Sequence, residues 1–151
     1  MSNRTRHNRI HGAYTESTIV STFLNTLNMI KLFHWKTMQY SAHKATDELY
    51  QDLGSKIDTF VEQLMGLLNT RIDVNPQTIM AINCDNLETL CVRLKKFRLY
   101  LENMPVSRYM RSTNRSTRSR GSASAHQYDL LAVRDEMIGT INKFLYLSTL
   151  R

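Results

Sequence analysis

From Ala13 to Gln39 apolar residues return every three or four positions. Ile19, Phe23, Leu27 and Ile30 form the line, with Val20, Leu24 and Phe33 widening it and Asn25 and Asn28 falling between. That period predicts a helix, A. A short turn at Tyr40-Ser41 leads into helix B, 41–69, whose apolar set is Leu49, Leu53, Ile57, Phe60, Val61, Leu64 and Leu68. Gly54 and Gly66 interrupt it at about 1 kcal/mol each relative to alanine, and small residues there would permit close helix approach. Asn75-Pro76 marks a break. Residues 71–83 therefore read as a connection, with a short helical turn at Gln77–Ala81. Asp85 followed by Glu88 is a capping-box arrangement that opens helix C, and Pro105 closes it. Its apolar face is Leu87, Leu90, Cys91, Leu94, Phe97, Tyr100 and Leu101. Ser124 and Gln127 make a second such box, opening helix D, which carries Leu130, Leu131, Val133, Met137, Ile141, Phe144, Leu145 and Leu147.

Four long amphipathic helices and no strand pattern predict an all-α four-helix bundle over 13–150, with a long B–C crossover. The chain of 151 residues is one domain's worth. Two segments stand outside it: a basic flexible arm, 1–12, and an Arg/Ser-rich loop, 105–123.

Helix B carries polar residues where a packed helix would show Leu and Val. His43 and Asp47 are four apart, and so are Asp58 and Glu62. At 100° per residue, the step from Asp47 to Asp58 returns to within roughly 20° of its start, so all four lie on one stripe. Length decides what the stripe can do. His43 and Asp58 are about 22 Å apart along a helix, whereas a metal–ligand bond is about 2.0–2.2 Å. If the two ends share an ion, the second half comes from another copy lying antiparallel across a two-fold axis, and each dimer builds two equivalent sites.

The stretch from His34 to Glu62 resembles the ferroxidase signature of the Dps family, the DNA-binding ferritin-like proteins of starved cells. His34-Trp35, His43, Asp47, Asp58 and Glu62 stand in the family's order, with its spacing from His43 onward. Eight residues separate His34 from His43 where the family usually has eleven, and the family's glycine in that turn is missing. The tail DLLAVRDEMIGTINKFLYL is similar to the family's last helix. The resemblance covers roughly 13–104 and 124–150.

It implies a ferritin-like bundle that forms a two-fold dimer and a hollow twelve-chain shell. It also implies oxidation of Fe(II) by peroxide or dioxygen and storage of ferric mineral, protecting nucleic acid from oxidative damage. His34 and His43 of one chain with Asp58 and Glu62 of its partner would hold the first iron, and Asp47 would assist a second. Trp35, ordinarily a packing residue, would border that site. Imidazole with carboxylate suits Fe(II), and also Zn or Mn. No Glu has a His three residues later, and there is no His-Glu-x-x-His motif, which argues against a di-iron centre inside one bundle.

Charge adds a partner. Arg4, Arg6 and Arg9 in the arm and Arg108, Arg111, Arg115, Arg118 and Arg120 in the loop have no acid among them; together they exceed the net charge of +7, so the remaining body is nearly neutral. Such segments suit DNA or another polyanion, held without sequence specificity and with strong salt dependence. No helix-turn-helix, finger or ribbon signature appears. No apolar run approaches the 18 or so residues of a membrane span, and the basic N-terminus lacks the apolar core of a signal peptide, so neither membrane insertion nor secretion is expected. Cys84 and Cys91, seven apart on one predicted helix, are too far apart to bridge and read as buried reduced thiols. The expected compartment is cytoplasmic, nucleoid-associated or otherwise nucleic-acid-containing. A second reading keeps the fold and loses the iron chemistry: a nucleic-acid-packaging or particle-forming structural protein.

Overall fold

A computed structural model describes residues 14–107, 109 and 123–150, with the side chains of 123–128 left aside. Four helices carry it: α1 (Glu16–Lys36), α2 (Tyr40–Leu68), α3 (Leu87–Glu102) and α4 (Ala123–Leu147), with a 3₁₀ turn at Pro76–Thr78. No strand occurs among the described residues. The described residues are all-helical, as the apolar period requires. The arm, Arg108 and residues 110–122 lie outside the described residues.

The core is drawn from all four helices. Phe23 of α1 meets Phe60 of α2 edge-on, with centroids 5.5 Å apart, and Phe97 of α3 at 5.9 Å. Leu53, Leu64, Leu90, Leu94, Leu130, Met137 and Ile141 are fully buried around them. Burying a side chain of this size is worth roughly 1.5–3 kcal/mol, so the apolar stripes hold the helices together. α2 packs on α1 and α4, and α3 packs on α4 and α1.

Element ends depart from the sequence expectation by a few residues, for identifiable reasons. α1 stops at Lys36, because Thr37 is extended (φ −67°, ψ 135°) and its N–H returns to the Phe33 carbonyl. The turn is therefore Thr37–Gln39 rather than Tyr40-Ser41. α3 is capped by Asn86, not Asp85: the Asn86 side chain accepts from the Thr89 N–H at 2.8 Å. The two cysteines do not share the helix: Cys84 precedes it and is buried, while Cys91 sits on it half-buried; both are free thiols. α2 ends at Asn69, whose left-handed conformation (φ 50°) closes the helix in glycine's usual role.

Neither glycine of α2 is demanded by packing within the chain. A Cβ on Gly54 would sit 3.9 Å from Leu27, an ordinary contact, and one on Gly66 would meet nothing. The α2–α3 connection is tied to α1 by Asn25, whose amide donates to the Thr78 carbonyl (2.9 Å) and accepts from the Met80 N–H (2.7 Å).

Beyond α3, composition misleads. Val106 and Tyr109 belong to the stretch expected as solvated loop, yet both are buried. The Tyr109 hydroxyl donates to the Tyr14 carbonyl at 2.7 Å, and the Tyr14 hydroxyl donates to the Tyr100 carbonyl at 3.0 Å. Tyr14 also stacks on Tyr100, with centroids 4.6 Å apart. Tyr109, within the stretch expected as loop, is thus fastened to Tyr14, the first described residue after the arm.

Candidate metal centre at the α1–α2 corner

α1 delivers His34 from its last turn and α2 delivers His43 from its first. The three-residue turn between them is short enough to bring the two rings face to face. Their centroids are 3.9 Å apart and their planes 25° from parallel. His34 Nδ1 lies 3.0 Å from the His43 carbonyl, and His43 Nδ1 lies 3.0 Å from the His34 carbonyl. A carbonyl only accepts, so each Nδ1 carries a proton, and the tautomer protonated there alone offers its lone pair at Nε2. This is the arrangement of outer hydrogen bonds that orients metal-ligating histidines. Beneath the rings Thr46, fully buried, donates to the Ala42 carbonyl at 2.7 Å.

Asp47 is the carboxylate at this corner. Its Oδ1 stands 3.9 Å from His34 Nε2 and 3.7 Å from Lys31 Nζ, and its Oδ2 accepts from Gln51 at 3.2 Å. Lys31 lies over the Tyr50 ring at 4.7 Å and near the Trp35 ring at 5.9 Å. An ammonium therefore occupies the charge position beside the carboxylate. Trp35 does not pack: it is 68% exposed.

Asp58 and Glu62 lie on the exposed face of α2. With α2 continuous, Asp58 is about 16 Å along the axis from Asp47. The structure thus sets His34 against His43 and near Asp47, and leaves Asp58 and Glu62 apart. Among the described residues no three His, Cys, Asp or Glu side chains are grouped to hold a metal. The stacking adds a second constraint. A ring nitrogen offers its lone pair in the ring plane, so stacked imidazoles offer theirs in two nearly parallel planes rather than at one point. One ion at the usual distance of about 2.0–2.1 Å from both requires one ring to turn. Glu48, which pairs with Lys143 at 2.6 Å, is engaged with α4 and is no part of it.

Lys31 and Gln51 carry no motif that singles them out in the sequence. Their one signal is spacing: Lys31 precedes His34 by three residues and Gln51 follows Asp47 by four, each one helical turn away. The eight arginines assigned to polyanion binding lie outside the described residues. No helix among the described residues is long and apolar enough to cross a membrane.

A family model, that of a family of unknown function (DUF5856), matches residues 34–147, from His34 to the end of α4. No curated protein and no solved structure matches the chain.

Proposed function

The chain belongs to the family of unknown function DUF5856, and we propose that it is a Dps-like ferroxidase and iron-storage protein. Fe(II) is its substrate, oxidised by peroxide or dioxygen at a site shared across a two-fold dimer, with ferric mineral kept inside a twelve-chain shell. The observation that carries this reading is the reciprocal bond of His34 and His43, which fixes both rings through Nδ1 and leaves each Nε2 free to bind a metal, that of His34 3.9 Å from Asp47 Oδ1. Asp58 and Glu62 of a second copy complete the set. The packing order α1–α2–α4–α3, with α2 and α3 joined by the long 69–86 connection, supports a ferritin-like arrangement.

The basic segments place the shell on nucleic acid in a cytosol-like, nucleic-acid-containing compartment. The Tyr109–Tyr14 bond supports their acting together, because the arm and the loop leave the bundle from adjacent points. A second reading is favoured by one observation, the stacked rings: a particle-forming, nucleic-acid-packaging protein in which the corner no longer turns over iron. Anaerobic loading with Fe(II) followed by peroxide or air separates them. Oxidation that is lost in Asp58→Asn and in His43→Ala supports the ferroxidase. Absence of oxidation in the native protein supports packaging.

A further inference from the structure

The turn beside the histidines presents large side chains that stand exposed in the single chain. Trp35, Met38 and Tyr40 are 68%, 98% and 77% exposed within six residues of chain. From Ser17 to Thr46 the sequence contains no Asp or Glu, while Lys36 and Lys44 flank the turn, exposed and in no ion pair among the described residues. α2 begins here without a side-chain cap and without an acid in its first turn, so the positive end of a 29-residue helix faces the same surface. Asp85 and Glu88, across the cleft lined by Lys36 and Met38, bound the basic surface on that side.

We infer that this corner is a stacking platform for single-stranded nucleic acid, additional to the arginine segments and independent of iron. Trp35 and Tyr40 offer ring faces to bases, and Lys36, Lys44 and the helix end meet phosphates, the combination by which sequence-tolerant single-strand binders work. A lipid surface fits less well. Insertion needs a contiguous apolar face, and here Lys36, Thr37, Gln39 and Ser41 alternate with the apolar residues. Those polar side chains can instead bond to base edges.

Trp35 is the only tryptophan, so its emission reports on this corner alone. The full-length protein is titrated with oligothymidylate and with a duplex of equal length. Saturable quenching by the single strand is expected. Read by the anisotropy of a labelled oligonucleotide, Trp35→Ala and Tyr40→Ala should each weaken single-strand binding about fivefold to a hundredfold, the range for removing one base–aromatic stack. Duplex binding, carried by the arginine segments, should change less than twofold. Lys36→Ser with Lys44→Ser should lower the single-strand salt slope by about 0.7 for each phosphate no longer neutralised. If Trp35→Ala does not fold by circular dichroism, Tyr40→Ala and the lysine pair decide, with Trp35 still reporting. Absence of quenching, because a second copy covers the corner or for any other reason, overturns the platform. So does unchanged affinity in the variants. A blue shift with phosphatidylserine vesicles and no response to oligothymidylate assigns the corner to lipid and also overturns it.

Discussion

His34 and His43 each hold the other's backbone: the Nδ1 of either ring is 3.0 Å from the carbonyl of the other residue. The bond pair closes the α1–α2 turn as well as orienting two donors, so the site and the fold share these residues. His34, at 7% exposure, is the more buried. His34→Ala removes one bond to the His43 carbonyl, which Thr46 Oγ1 also reaches at 3.1 Å, and should cost roughly 0.5–1.5 kcal/mol. A shift of the urea midpoint with unchanged slope checks it. His43 variants should cost less, because water can replace the missing bond at a half-buried ring.

Lys31 competes with any cation for Asp47, its Nζ lying 3.7 Å from the carboxylate. Lys31→Gln should therefore strengthen divalent-metal binding at the corner severalfold and leave stability within about 0.5 kcal/mol, as expected for a part-exposed pair. Zn(II) titration by calorimetry, which needs no turnover, measures the first effect.

Burial raises the phenol pKa of Tyr100 and of Tyr14 above the usual value. A raised folded value means the native state keeps protons that the unfolded chain loses above about pH 10. The stability from this cluster is thus fully present below pH 10 and falls as pH rises beyond it. Denaturant melts between pH 8 and pH 11 should show a flat region and then a decline. Tyr100→Phe should soften the decline.

The arginine segments carry a separate expectation. Replacing Arg111, Arg115, Arg118 and Arg120 by Ser should weaken duplex retention and reduce the log–log salt slope by roughly 0.9 for each phosphate no longer neutralised. The fold should survive, since these residues follow the buried anchor Tyr109. An unchanged slope leaves the N-terminal arm as the binding segment.

The helices were legible because their apolar residues are the ones that pack: Phe23, Phe60, Leu94 and Ile141 all fall on the periodic faces and are buried. Boundaries were less so. Nothing in Lys36-Thr37-Met38-Gln39 breaks a helix locally; the stop there accompanies the packing of His34 on His43, a tertiary event. Asp85 and Asn86 are both good caps, and only the reach of the Asn86 side chain to Thr89 distinguishes them. The burial of Val106 and Tyr109 was hidden by the Arg- and Ser-rich composition that follows. Within the site, the helical spacing correctly separated Asp58 and Glu62 from His43. The stacking of the imidazoles was not legible, because it depends on a turn whose position no local sequence signal marks.

The most direct test of the shared site mixes two defective chains. One lacks His34 and His43; the other lacks Asp58 and Glu62. Each alone should be nearly inactive in Fe(II) oxidation. After joint unfolding and reassembly, random pairing makes half of the two-fold dimers mixed, and one of the two sites in each mixed dimer receives all its ligands. About a quarter of all sites should then oxidise Fe(II) again. Mixed dimers that demonstrably form and restore no oxidation would contradict the account.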